Sequence, residues 1–362
     1  MLCSKDAASK VIDWYYKMNK TIVFQEDHVA ANQEELIIEH IVNSIRPLLS
    51  GTLCAIDECC ETLFYEYLNL SPIDRSAFSY NWPYVVQATR GYGFYYQTKQ
   101  SIVYFYFRKS TNILQPYTLI VVNHLGYDSE TSVQEISEAA KKLNISTIIK
   151  NIDKDKISLW ENLGFNETSA PWSPYSFRDD NTNPEFVYDI KKFINIDFSR
   201  RTKEIIRKLS RESNYIFVPF NDSHKNCGLK LLEKNSEYLE SKGVDFKIEV
   251  MRAHQFVFDE NISNKNVMAI LEDNRLIGLS FITHVGDNLF FNAIINENKS
   301  NLMRFLLWKS VAHYCEGLEE EKRPLYLALQ GSENDGQTKW KVFFNPIRTI
   351  ERTHLTNKSE TI

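Results

Sequence analysis

Apolar residues recur at helical spacing near the start of the chain. In "EELIIEHIVNSIRPLL", Leu36, Ile37, Ile41, Ile45 and Leu48 fall near one face and Pro47 sits close to the end, which predicts a helix. From Tyr84 to Asn123 the pattern changes to short apolar runs, "YGFYYQT", "IVYFYFR" and "YTLIVVN", joined by polar links, which predicts strands. "SVQEISEAAKKLN" returns to helical spacing, with Ser132 and Glu135 set as a capping box and Val133, Ile136, Ala140 and Leu143 as the apolar face. A short strand, "STIIK", leads into "ISLWENLGF", a brief amphipathic helix for which Gly164 is the expected left-handed stop. The Pro- and Asp-rich stretch "APWSPYSFRDDNTNP" is the best boundary in the chain, and "EFVYDI" restarts the structure beyond it.

The second half repeats this grammar. "HKNCGLKLLEKNSEYLESKG" predicts a helix ending at Gly243. "VMAILEDNRLIGLSFITHVGDNLFFNAIINE" predicts three antiparallel strands with turns at Asp273-Asn274 and Gly286-Asp287. A long helix, "NLMRFLLWKSVAHYCEG", buries Leu302, Phe305, Leu306 and Ala312 and stops at Gly317. Then come a strand, "PLYLALQ", a polar loop, "GSENDGQ", and an aromatic-basic run, "TKWKVFFNP". The repeated order implies an α/β (α+β) fold in which a mixed twisted sheet flanked by helices is used twice. The expected division is a helical extension over 1–50, a first unit over 51–183 and a second over 184–362.

Composition narrows the function. Of 362 residues, 43% are hydrophobic and 25% charged, as in ordinary globular proteins, and the length suits two domains. A net charge of −5 means that nucleic-acid binding needs a local basic patch. No run reaches the ~18 apolar residues of a transmembrane helix, and "MLCSKDAASKVIDWYYK" carries charges where a signal peptide has its apolar core, so a cytoplasmic protein without integral membrane association is expected. The cysteines include no C-x-x-C pair, and "CAIDECC" is poorly spaced for a metal with no His nearby, so no metal is expected.

The order helix, strand, polar loop and "LWENLGF" resembles the last third of the GNAT acyltransferase fold. The second half, ending in "TKWKVFFNP", resembles the same fold in its Fem-type form. Two fused units of this kind resemble the Fem aminoacyl transferases, and still more the catalytic domain of the lysyl-phosphatidylglycerol synthases and their soluble relatives. The resemblance covers roughly residues 50 to 355.

Departures from the acyl-CoA pattern point the same way. Acyl-CoA enzymes of this fold place a Gly-rich turn before the long helix, where backbone N–H groups bind a pyrophosphate. Here that segment is "NENKSNLM", without glycine, and the first-half counterpart "NHLGYDSETS" has Gly126 alone. "QATRGYGF" supplies Arg90, Gly91 and Gly93 but leads into a strand. Trp160 stands where many acyl-CoA relatives carry a Tyr general acid, and an indole has no transferable proton near neutral pH, so the first unit is expected to be non-catalytic. The resemblance therefore implies aminoacyl-tRNA as the donor co-substrate and no tightly bound cofactor, with acyl-CoA as the alternative donor. A non-enzymatic ligand- or partner-binding protein is the third possibility. The implied acceptor is an amine or hydroxyl of a small soluble molecule.

In "TKWKVFFNP", Trp340 matches the family's aromatic and Lys341 its Lys, which the resemblance implies stabilises the oxyanion or the donor's terminal adenosine. The other reading makes Lys341 a solvated strand residue beside a packed Trp. Gln330, Ser332, Asn334 and Asp335 follow a strand end that faces the crevice in open sheets; they are candidates for acceptor binding and suit an ordinary polar turn equally. "EVMRAHQF" offers Glu249, Arg252 as an acceptor ligand and His254 as a base near neutrality. Asn292 is a polar residue in an apolar strand and a candidate cleft residue. In "DFSRRTKEIIRKLSRES", Arg200, Lys203, Arg207 and Arg211 share one helix face opposite Ile205, Ile206 and Leu209, a stripe suited to tRNA phosphates or to solvent.

Overall fold

The computed structural model describes residues 28–57, 59–89, 93–109, 116–171, 179–180, 184–212, 214–241, 265–297, 301–329 and 335–357. Internal contacts divide the chain into two units. Unit 1 holds the described residues up to Ile73, with Ala88–Asp180 and the chain from Thr353 onward; unit 2 holds Asp74–Gln87 and Asn181–Arg352. The main cut, between Asp180 and Asn181, thus falls within the Pro- and Asp-rich stretch, but residues 74–87 join unit 2 and the last strand joins unit 1. Neither crossing belongs to the three consecutive blocks expected from sequence.

Unit 1 begins with α1 (His28–Ile45), β1 (Thr52–Ala55) and α2 (Cys60–Leu70). After α3 (Trp82–Thr89), which spans the divide, come β2 (Gly93–Gln97), β3 (Ser101–Lys109), β4 (Tyr117–Gly126), α4 (Ser129–Lys142), β5 (Ser146–Asp153), α5 (Ile157–Asn162) and β6 (Asn166–Thr168). A small pair follows, β7 (Ala170–Pro171) with β8 (Asp179–Asp180). The main sheet runs β1-β2-β3-β4-β5-β16-β6, its sixth place taken by the chain's last strand, β16 (Arg352–Thr356). β3 is buried along seven consecutive residues, as expected for a central strand covered on both faces.

Several elements sit differently from their sequence reading. The buried stripe of α1 is Ile38, Ile41, Val42 and Ile45, whereas Leu36, Ile37 and Leu48 are exposed. That set follows the i, i+3, i+4, i+7 rule more strictly than the predicted one. Tyr84–Thr89 is helical, not extended. The capping box of α4 does not form, because the helix starts at Ser129, one turn earlier. Ser132 Oγ instead pairs with Ser101 Oγ at 2.6 Å, and Glu135 accepts from Tyr96 Oη at 2.5 Å and from the Ser50 backbone N–H at 2.6 Å. Val133, Ile136 and Ala140 are buried as predicted, whereas Leu143 caps the helix and is exposed. Gly164 stops α5 in the left-handed region, at φ +85°. At Gly126, φ is +105° and an added Cβ would lie 2.0 Å from the Gln100 carbonyl oxygen, so only glycine fits this turn.

Unit 2 takes β9 (Glu185–Asp189), α6 (Ile190–Ile194), α7 (Arg200–Glu212), β10 (Tyr215–Pro219) and α8 (Asp222–Ser241). Then follow β11 (Lys265–Glu272), β12 (Arg275–Val285), β13 (Asn288–Asn296), α9 (Leu302–Glu316), β14 (Tyr326–Leu329), α10 (Asp335–Val342) and β15 (Arg348–Ile350). Its sheet runs β10-β11-β12-β13-β14-β9-β15. The predicted turns hold: Asp273 and Asn274 both have positive φ, and so does Gly286. Leu302, Phe305, Leu306 and Ala312 are buried on α9, which ends at Gly317. α8 is described to Ser241, so the stop expected at Gly243 lies outside the described residues. The run "TKWKV" is helical, as the end of α10, and not a strand. The two sheets share one order of strands, with β16 and β9 in matching places.

Candidate functional site

In unit 2, β13 and β14 run parallel from Asn288 opposite Tyr326 to Phe291 opposite Leu329. β13 continues beside β12 to Asn296, and the described part of β14 ends at Leu329. At the same point the β12–β13 register shifts: Phe281 faces Ala293 and Ile282 faces Phe291, which leaves Asn292 as the extra residue of a bulge. A bulge withdraws a residue from the ladder and bends its strand, and bulges are common beside active sites. Unit 1 repeats the arrangement. β4 pairs with β5 from Thr118 to Val121, and Val122 is the extra residue between Val121 and Asn123. In unit 1, β5 runs on to Asp153 beyond its last pair with β4, and such a parting of parallel strands at their C-terminal ends is where open sheets take ligands.

The Asn292 side chain is buried and bound inside unit 2. Its Nδ2 donates to Thr283 Oγ1 at 2.9 Å, Thr283 Oγ1 donates to Asn81 Oδ1 at 3.1 Å, and Asn81 Nδ2 donates back to Asn292 Oδ1. The closed ring ties segment 74–87 to the bulge. The polar residue noticed in an apolar strand is therefore the bulge residue, held by a partner more than two hundred positions away in sequence.

α10 carries Trp340 and Lys341. Trp340 is half-buried, edge-on to Phe344 with ring centroids 5.1 Å apart. Lys341 is 8% exposed, so it is not a solvated residue. Its carbonyl accepts a 3.1 Å hydrogen bond from Tyr188 Oη. Backbone geometry sets its counterpart in unit 1. The Phe344 and Asn345 N–H groups bond to the Lys341 and Val342 carbonyls, as those of Leu163 and Gly164 bond to the Trp160 and Glu161 carbonyls. Asn345, at φ +52°, takes the left-handed place of Gly164. Lys341, not Trp340, therefore matches Trp160.

α7 presents the predicted cations. Arg200, Arg207 and Arg211 are exposed and Lys203 is half-buried, while Ile206 is buried and Leu209 packs on the same core. Arg200 pairs with Glu204 at 2.9 Å and Lys203 lies 3.5 Å from Asp197. Arg207 and Arg211 have no carboxylate partner among the described residues. Glu249, Arg252, His254, Gln330, Ser332 and Asn334 lie outside the described residues, and Asp335 begins α10 with its side chain outside them too.

Sequence reading passed over three features of unit 2. Glu185 and Arg352, both buried, lie 3.6 Å apart, with the Arg352 guanidinium over the Tyr80 ring and the Phe78 N–H bonded to Glu185 Oε2 at 2.7 Å. Burial pushes the Glu185 carboxyl above its ordinary range, against the opposing pull of Arg352. His284 bonds through Nδ1 to Tyr314 Oη at 3.0 Å and through Nε2 to the Gly286 carbonyl at 2.8 Å. Arg304 lies over Phe343, 5.2 Å from the ring centroid. An Arg or His inside a mostly apolar run gave a periodic signal no different from a surface position.

No protein-family model matches the chain, and no curated protein matches it. Solved structures do. A conserved protein of unknown function from Bacteroides thetaiotaomicron aligns over 85% of this chain and 100% of its own, with a TM-score of 0.65 and 10% identity. The C-terminal domain of a putative lysylphosphatidylglycerol synthetase from Agrobacterium fabrum aligns over 82% and 93%, with a TM-score of 0.55 and 12% identity. FemX aligns over 85% and 97%, with a TM-score of 0.56 and 10% identity. The chain has a tandem GNAT-like fold resembling these structures: two mixed sheets of matching strand order, each flanked by helices.

Proposed function

We propose that the protein is an acyl-group transferase that moves an aminoacyl group from aminoacyl-tRNA to an amine or hydroxyl of a small soluble acceptor. The observation that carries this reading is Lys341, a cation buried in α10 of the unit whose bulged strand bears Asn292. The fold shared with FemX and with the lysylphosphatidylglycerol synthetase domain supports it. Arg207 and Arg211 of α7, which have no carboxylate partner among the described residues, support an RNA donor.

The acceptor's lone pair attacks the ester carbonyl carbon of the donor, and the carbonyl π electrons move onto oxygen. Lys341 donates to that oxyanion, which is the charge that develops in the transition state. Collapse breaks the bond between the carbonyl carbon and the ribose oxygen. The acceptor's proton leaves through a base, for which His254 is the candidate, and ends on the ribose hydroxyl. Trp340 walls the site beside Lys341. Gln330, Ser332, Asn334, Asp335, Asn292 and Arg252 orient the acceptor, Asn292 through the bulge it occupies. Arg200, Lys203, Arg207 and Arg211 hold the RNA backbone. The reaction uses no tightly bound cofactor, and its place is the cytoplasm. Among the described residues no helix is long and apolar enough to cross a membrane.

The test incubates the protein with a charged tRNA pool and a panel of amine and hydroxyl acceptors, and follows loss of the aminoacyl ester. Acceptor-dependent loss in the wild type that falls at least a hundredfold in Lys341→Ala, with folding intact, supports the reading. Full activity in Lys341→Ala overturns the catalytic assignment. Thermal stabilisation by acetyl-CoA, with none by tRNA, overturns the donor assignment.

A further inference from the structure

Three helix ends of unit 2 meet at one corner. The Ser199 N–H donates to the Phe343 carbonyl at 3.1 Å, which joins the start of α7 to the end of α10. Arg201 follows two residues later and is exposed. Arg304, in the first turn of α9, lays its guanidinium over the Phe343 ring at 5.2 Å. Phe343 is 37% exposed, a large aromatic partly open to solvent beside the Arg304 guanidinium.

Neither Arg201 nor Arg304 has a carboxylate partner among the described residues, although Arg200 and Lys203 of the same helix each have one. Arg304 Nη1 is buried and has no hydrogen-bond partner among the described residues. Burial first, and then the charge of Arg201, holds the Arg304 guanidinium below its ordinary range. A buried donor without a partner and two neighbouring like charges both cost free energy in the free protein, and an arriving anion relieves both. From Arg201 to Arg211, α7 carries this positive charge along ~15 Å.

We infer that Arg201, Arg304 and Phe343 form a subsite for the single-stranded 3′ end of an RNA, with the guanidinium groups on its phosphates and a base stacked on the exposed aromatic. Single-stranded nucleic acid is the ligand that asks for both parts at once, a cationic track and a partly exposed aromatic ring. A free phosphate or a lipid headgroup uses the arginines and leaves Phe343 without a role. The inference rests on the RNA donor proposed above and adds three residues to it.

The experiment measures binding by fluorescence anisotropy over a range of salt. The ligands are uncharged tRNA with its intact unpaired 3′ terminus and the same tRNA trimmed of those nucleotides. The proteins are wild type, Phe343→Leu, Arg304→Gln and Arg304→Lys, each checked for an unchanged melting temperature. The wild type is expected to bind intact tRNA about tenfold more tightly than trimmed tRNA. Phe343→Leu should lose that preference while binding trimmed tRNA normally. Arg304→Gln should lower the salt slope by about one, and Arg304→Lys should restore much of it. If the variants bind both RNAs as the wild type does, this subsite is wrong and the RNA donor stands. If the wild type binds neither RNA, the donor itself is wrong. Binding to phosphatidylglycerol vesicles through Arg304 and Phe343, without RNA binding, also overturns the inference.

Discussion

The hydroxyl of Tyr188 on β9 donates to the carbonyl of Lys341 on α10, 3.1 Å away. A buried tyrosine in the strand between β14 and β15 thus fixes the turn that carries the candidate catalytic cation. Burial holds the Tyr188 phenol well above its ordinary range, so it stays protonated and remains a donor. Tyr188→Phe should cost about 0.5–1.5 kcal/mol, because it removes one of two hydrogen bonds to a carbonyl that still accepts from the Phe344 N–H. If the bond positions Lys341, kcat should fall more than KM rises, since the oxyanion contact is made in the transition state. Denaturant melts and steady-state kinetics read the two effects separately. A stability loss with unchanged kcat would make the bond purely structural.

The ring of Asn81, Thr283 and Asn292 predicts asymmetric mutational costs. Asn292→Leu strands the Asn81 and Thr283 side chains in a dry interior, and about 2–4 kcal/mol of stability should be lost. A double variant, Asn81→Leu with Thr283→Val, should rescue part of that loss in an Asn292→Leu background. Equal and additive losses in a double-mutant cycle would deny that the three act as one unit.

The same argument applies more strongly to Glu185 and Arg352. Removing one charge leaves the other buried and uncompensated, so Glu185→Gln or Arg352→Met alone should cost about 3–5 kcal/mol. Replacing both at once by apolar residues of similar volume should cost much less. Urea unfolding of the two single variants and the double variant decides it. A double variant as unstable as the sum of the singles would mean that the pair is worth more than its desolvation.

The repeat was legible because its signals are periodic. The turns at Asp273-Asn274 and Gly286, the face of α9 and the stop at Gly164 all read directly from residue type. The counterpart of Trp160 did not. Aligning aromatic with aromatic sets Trp160 against Trp340, whereas the backbone sets it against Lys341, because Asn345 replaces the glycine that would have marked the stop. Thr338, Trp340 and Val342 near the end of α10 left a strand reading of Lys341 open, whereas the segment is helical and buries Lys341 and Phe344. The places of residues 74–87 and of β16 were invisible, because long-range pairing leaves no local pattern. Asn292 stood out as polar, but a bulge is a relation between two strands and cannot be seen in one.

His284 gives unit 2 a pH dependence of definite sign. Burial holds its imidazole below the ordinary value, outweighing the Gly286 carbonyl and the Asp287 charge that favour the cation. Its Nε2 faces the Gly286 carbonyl, so Nε2 carries the proton of the neutral ring and Nδ1 accepts from Tyr314 Oη. Protonation would put a second donor against that hydroxyl. Because the unfolded chain binds the proton more tightly, stability rises with pH across the interval between the folded value and about 6.5. The contribution is complete above that interval and is lost as pH falls through it. His284→Asn removes the group, so the difference in unfolding free energy between wild type and variant should shrink steadily from pH 7.5 to pH 5. The subtraction matters, because Glu185, whose carboxyl is raised by burial, contributes a slope of the opposite sign to both proteins. A difference that stays flat with pH, or grows in acid, would show that His284 is not buried as the neutral ring.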